Sequence, residues 1–198
     1  MTTALGEKIA ATIRAFGPIS VADYMAMALG DPDGGYYTTR EPFGAAGDFV
    51  TAPEVSQMFG ELIGAFAVGR WQAMGAPERF ALVELGPGRG TLMADLLRMA
   101  ALRPAFVAGA EIHLVETSAR LRALQAETLA GRPVTWHETV DTLPDLPLVV
   151  VANEFFDALP IRQYVRTGRG WRERMVGLGD AGGLAFGLGP GLPAAADL

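Results

Sequence analysis

Glu84, Glu116 and the group Asn153, Glu154 and Asp157 are the polar residues of this chain whose neighbours give them chemistry to do. Glu84 lies in ALVELGPGRGTL, residues 81–92, just before Gly86, Pro87, Gly88 and Gly90. Glycines between a strand and a helix let a ligand approach the backbone where side chains would block it. No Lys-Ser/Thr pair follows them, which excludes a P-loop, and the spacing G-x-G-x-G departs from the G-x-G-x-x-G of dinucleotide sites. A carboxylate beside the turn repels a pyrophosphate seated on the helix N-terminus. A ligand carrying a sulfonium and an ammonium, such as S-adenosyl-L-methionine, has no such conflict. The plainer alternative is that Glu84 caps the strand end and bonds only to backbone or water. Glu116, closing the apolar run IHLVE, can accept hydrogen bonds from both hydroxyls of a ribose. That alone fits NAD equally; the turn spacing and Glu84 tip the balance to a methyl donor.

The elements that must hold these residues are legible in the periodicity. FALVEL, EIHLVE, PVTWHE and LPLVVVANEF read as strands, with TLMADLLRMA and SARLRALQAETLA as helices between them. Continuous apolar strands alternating with helices predict an α/β fold, a parallel sheet with helices on both faces. Ahead of it, Leu5, Ile9, Ile13 and Phe16 recur at helical spacing up to Gly17-Pro18, and Ser20 is placed to cap a second helix ended by Gly30. Residues 36–50 read as a long loop, and loops of that length usually carry function. Thr51 and Glu54 match a capping box, with Pro53 in the first turn, opening a helix to about Gly75 whose face carries Val55, Phe59, Leu62 and Phe66. After Pro160, RQYVRT, GWRERMVGL and GLAFGLG predict an antiparallel meander. The division expected is residues 1–75 as a helical extension with a covering loop, 76–160 as the Rossmann-like core and 161–198 as meander and tail.

Composition narrows the chemistry. The 198 residues include no cysteine, which removes disulfides, zinc knuckles and a thiol nucleophile, and two histidines make no three-His site, so no metal is expected. His113 reads as a packed strand residue, and nothing pairs with His137 to suggest a base. A net charge of −6 argues against a nucleic-acid partner. Arg162, Arg166, Arg169, Arg172 and Arg174, with Tyr164 and Trp171 among them, resemble a nucleic-acid surface but fit a solvated hairpin face better. Tyr36 and Tyr37 read as packing, or as a cover over a ligand. No stretch approaches the roughly 18–20 apolar residues of a membrane span. A cytoplasmic protein is expected, or one of the mitochondrial matrix if the source is eukaryotic.

VELGPGRGTL, GDFVTAPEVSQMFGELIG and VVANEFFDALPIRQ together resemble the MidA-type family of class I methyltransferases, relatives of the mitochondrial complex I assembly methyltransferase. The resemblance implies a Rossmann-like class I fold with the meander as an insertion, S-adenosyl-L-methionine as cofactor, and methylation of an arginine on a protein, a complex I subunit among the candidates. It makes Glu84, Gly86, Pro87, Gly88 and Gly90 the first cofactor motif and Glu116 the ribose acid, and it brings Gly47, Asp48 and Thr51 into the pocket. On that reading Glu154 is the main guanidinium clamp, Asp157 its helper, and Asn153 a pocket residue. The opposing reading makes Asn153 a turn cap and Asp157 a surface contact. Such enzymes need about seven strands; here four are expected with the meander, so later strands of the sheet are expected to be missing. Methylation of a small molecule or RNA, and a cofactor-binding assembly factor without turnover, are the rival functions.

Overall fold

The computed structural model describes residues 3–39 and 51–191, and its contacts divide the chain into two compact units, one joining residues 1–40 to 157–198 and the other spanning 41–156. In the first unit, α1 (Ala4–Phe16) begins at Thr3, whose side chain accepts from the Gly6 N–H, and stops at Gly17. β1 (Ile19–Ser20) leads directly into α2 (Val21–Gly30), where Ser20 and Asp23 form a reciprocal capping box. A short turn of helix, α3 (Tyr36–Thr39), follows.

The second unit opens with α4 (Ala52–Val55) and α5 (Gln57–Ala73). The alternating region then runs β2 (Phe80–Leu85), α6 (Thr91–Ala100), α7 (Pro104–Gly109), β3 (Ala110–Val115), α8 (Ala119–Thr128), β4 (Val134–His137) and β5 (Leu148–Ala152). The four strands form one parallel sheet in the order β4-β3-β2-β5. β2, at its centre, is buried along its whole length, as its unbroken apolar sequence requires. Phe80, Leu82, Leu114 and Val149 on one face pack with Trp71, Leu96, Leu97 and Phe106 from the helices. Ala81, Val83, Leu85 and Val115 on the other face meet Leu143, Leu146 and Phe155. Trp71 satisfies its indole N–H on the Pro77 carbonyl at 3.0 Å, so its ring is buried without leaving a polar orphan.

Two expectations about the helix opening at Thr51 are corrected. The Thr51 side chain makes no cap bond, and Glu54 instead accepts from the Thr91 hydroxyl at 2.7 Å, joining the start of α4 to the start of α6. The face of α5 is also the reverse of the one expected. Leu62 and Phe66 on α5 and Val55 at the end of α4 are exposed and Phe59 is half-buried, while Gly60, Gly64, Ala67, Val68 and Trp71 are buried. Close approach of α6 is the reason: a Cβ at Gly64 would lie 2.7 Å from the Leu96 carbonyl oxygen, and one at Gly60 would lie 2.5 Å from the Asp95 Cβ. Backbones can touch only where side chains are missing, so the small residues face inward.

In the first unit, β6 (Tyr164–Thr167), β7 (Gly170–Leu178) and β8 (Leu184–Gly191) form the expected antiparallel meander. β1 pairs with β7, so the N-terminal segment and the meander share one sheet, over which Ile9, Ile13, Val21 and Val176 make a small core. Several of the arginines are engaged within this sheet: Arg162 pairs with Glu173 at 3.0 Å, Arg172 donates to the Gly189 carbonyl, and Arg174 stacks on Phe186.

Candidate functional site

The polar residues of interest collect at the carboxyl ends of the parallel strands, where open α/β sheets bind ligands. β2 ends at Leu85, and Gly86, Gly88 and Gly90 then take φ values of 63°, 53° and 84°. All three lie in the left-handed region that other residues enter only at a cost. The turn is closed by a bond from the Gly90 N–H to the Pro87 carbonyl, 2.8 Å, and tied to β3 by the Gly86 N–H on the Val115 carbonyl, 3.1 Å. Gly86 is also sterically committed, because a Cβ there would meet the Phe155 ring at 2.5 Å.

Glu84 is 3% exposed. Its carboxyl accepts a bond from the Met93 N–H in the first turn of α6, while Oε2 is buried with no hydrogen-bond partner. Burial pushes its pKa up to about 8, a rise only partly opposed by the Met93 bond. This refines the electrostatic reading of the turn. By itself burial favours the protonated form of Glu84 near neutral pH, and a cation beside Oε2 is what would draw the proton off.

Glu116, just beyond β3, is buried and held at both oxygens. Oε1 accepts from the Ser118 N–H at 2.8 Å, and Oε2 from the Gln125 amide at 3.4 Å. Burial raises its pKa, against the pull of the Ser118 and Gln125 bonds. Its backbone is clamped too: its N–H donates to the His137 carbonyl, and the Arg122 guanidinium donates to its carbonyl. Gln125 was not singled out in the sequence. It is fully buried, donates to the Gly88 carbonyl at 2.7 Å, and accepts from the Trp136 indole at 2.8 Å.

At the end of β5, Asn153 is half-buried and Glu154 is exposed. Glu154 has φ 47°, one of two non-glycine residues with positive φ among the described residues, the other being Ala76. Phe155 then turns inward onto Gly86, and Asp157 falls in the 3-10 turn Phe156–Ala158, in the first unit. There the negative charge of Asp157 adds to burial in raising the Tyr37 pKa. Thr51 is half-buried at the start of α4. Gly47 and Asp48 lie outside the described residues.

The histidines are not separate, as the sequence suggested. His113 Nδ1 and His137 Nε2 are 2.8 Å apart on adjacent strands, and His137 Nδ1 is 2.8 Å from the Thr142 hydroxyl. Burial, then the neighbouring His137, lowers the His113 pKa, which keeps the ring neutral. An apolar groove between α5 and β5, lined by Ile63, Phe66, Met74, Leu148 and Val150 among others, carries Arg70 as its charged member and shares no residue with the glycine turn.

Comparison with known proteins gives this geometry a context. A family model described as an S-adenosyl-L-methionine-dependent methyltransferase matches residues 62–197. The mitochondrial protein arginine methyltransferase NDUFAF7 of Danio rerio is 42% identical over 193 residues, covering 86% of this chain and 46% of its own length. The human protein of the same name is 39% identical, with 83% of this chain and 43% of its own length covered. A crystal structure of a superfamily member from Burkholderia thailandensis, bound to S-adenosyl-homocysteine, superimposes with a TM-score of 0.78 at 32% identity, covering 96% of this chain and 51% of that one. The chain spans about half the length of the curated relatives it matches.

Proposed function

This chain belongs to the S-adenosyl-L-methionine-dependent methyltransferase family, and from that premise we propose that it binds this cofactor over the glycine turn and methylates an arginine side chain of a protein. The observation that carries the reading is Glu84 Oε2, a buried acid oxygen without a partner beside a turn built to be approached. An orphaned buried polar atom is costly, and a ligand that satisfies it recovers that cost. A cation does so best, since it also favours the ionised form of a carboxyl that burial has kept protonated.

The donor set fits the cofactor. Glu84 would take its ammonium end, the backbone of Gly86, Pro87, Gly88 and Gly90 would line its middle, and Glu116, buried and held at both oxygens, would accept from the ribose hydroxyls. Thr51 and Asn153 complete the pocket on this reading. When bound, S-adenosyl-L-methionine supplies a methyl group activated on a positively charged sulfur. The chain's own contribution is to position the acceptor and shape its charge. Glu154 pairs with the guanidinium on this reading. The pairing holds positive charge on the nitrogens it contacts and aims the remaining one outward. The left-handed backbone of Glu154 supports this assignment, because strain in a non-glycine residue persists where the position is otherwise determined and tends to gather at working sites.

The relatives' name favours arginine on a protein as the acceptor, and the family resemblance favours a complex I subunit. The site of action is then the bacterial cytoplasm, or the mitochondrial matrix in a eukaryote. Two measurements test the proposal. Calorimetric titration with S-adenosyl-homocysteine is expected to give binding with proton release from Glu84, seen as an enthalpy that changes with buffer; binding of NAD in its place would refute the cofactor. Labelled methyl transfer into protein should fall about 100-fold or more in Glu154→Gln with cofactor affinity kept. An unchanged rate removes Glu154 from the acceptor site.

A further inference from the structure

We propose that Gln125 is a positioning residue that aligns the Glu116 carboxylate for a ribose diol and locks the glycine turn to it. The proposal rests on the reading of Glu116 as the ribose acid. A glutamine with no exposed surface is uncommon, and packing alone does not call for one, since methionine fills nearly the same volume without an amide to satisfy. Here the amide is fully used. Trp136 Nε1 donates to Oε1, which fixes the amide's orientation and leaves Nε2 facing both the Gly88 carbonyl at 2.7 Å and Glu116 Oε2 at 3.4 Å. One side chain on α8 thereby bonds the turn after β2 and the acid after β3.

Two consequences follow from that geometry. The peptide after Gly88 is planar, so a carbonyl held on Gln125 directs the Arg89 N–H the opposite way. Glu116, bonded at Oε1 by Ser118 and at Oε2 by Gln125, cannot rotate about its last torsion without breaking one of those bonds. The Thr117 backbone bonds the same carboxyl, and an incoming diol would meet the acceptor positions that these three bonds leave. Pre-setting the acid avoids the ordering cost that a mobile carboxylate would meet on binding.

The test compares S-adenosyl-homocysteine with its dideoxyribose analogue, which lacks the diol, by calorimetry on this chain. In the unaltered protein the diol compound binds more tightly. Gln125→Met should weaken it by about tenfold and the analogue, which loses only the hold on the turn, by no more than about threefold. Trp136→Phe keeps the amide but frees its orientation, and should give a smaller loss of the same kind; it also keeps the question open to measurement if Gln125→Met folds poorly. Equal weakening of both ligands, or of neither, in the two variants overturns the proposal. Glu116→Gln separates its failure from that of the underlying reading. If Glu116→Gln leaves the diol preference intact, the ribose assignment falls first. If that variant abolishes the preference while the Gln125 and Trp136 variants keep it, only the positioning role is lost.

Discussion

At the ends of β2 and β3, Glu84 and Glu116 are buried, and Glu116 is bonded at both oxygens and at both backbone groups. At the end of β5, the next strand on the other side of β2, Glu154 is exposed and its backbone sits in a region that favours glycine. The first region is preorganised by the protein itself. The second offers an exposed carboxylate on strained backbone. On the proposed function, such a division suits a fixed cofactor on one side and an acceptor that must be admitted on the other, since a fixed ligand rewards rigidity and a docked one rewards access.

The comparison can be broken most forcefully at Gly86. Gly86→Ala adds a Cβ against the Phe155 ring at a φ of 63°, and strain of about 1–3 kcal/mol should lower cofactor affinity tenfold or more. Adding Phe155→Ala should return part of the loss; calorimetry on the two variants checks both, and an unaffected Gly86→Ala would show that the turn is not preorganised.

A next, smaller effect concerns the buried acid. The unfolded chain releases the Glu84 proton at its ordinary value, whereas the folded protein holds it up to about pH 8. Between those values the folded state carries more protons, so raising the pH disfavours it, by at most about 1.4 kcal/mol per pH unit. The melting temperature should therefore fall from pH 5 to 8, and Glu84→Gln should flatten that fall. The depressed His113 pKa acts with the opposite sign at the acid end, where its stabilising contribution rises with pH.

The smallest expected effect belongs to the exposed region. Glu154→Gly relieves about 1–2 kcal/mol of left-handed strain but enlarges the unfolded ensemble, for a net gain of roughly 0.5–1 kcal/mol in denaturant titrations. Methyl transfer should be lost in the same variant. Stability gained as activity disappears would mark the strain as functional, and a destabilised Glu154→Gly would contradict it.

Much of this was written locally in the sequence. The parallel strands follow from their apolar runs, the ends of α1 and α2 from Gly17 and from Ser20 with Asp23, and the glycine turn from its spacing. What the sequence concealed depends on distant partners. The inward face of α5 is set by how closely α6 approaches Gly60 and Gly64, so the visible apolar stripe of Leu62 and Phe66 pointed the wrong way. Glu54 answers Thr91, 37 residues away, instead of the nearby Thr51. Gln125 reads as one polar residue on a mostly polar helix until Gly88 and Trp136 are brought to it. The left-handed turn at Glu154 has no compositional signature, since nothing but the surrounding fold imposes it.

The paired histidines carry a consequence for where hydrogens reside. With the Thr142 hydroxyl donating to the Thr139 carbonyl, its oxygen is left to receive from His137 Nδ1. His137 Nε2 is then a bare lone pair that takes a hydrogen from His113 Nδ1, and His113 Nε2, buried and unbonded, carries none. A lone pair hidden from water is more readily tolerated than a hidden N–H. One hydroxyl in the 3-10 turn Val140–Thr142 thus selects the tautomer of two imidazoles in succession, giving that hydrogen-bonded chain a defined direction.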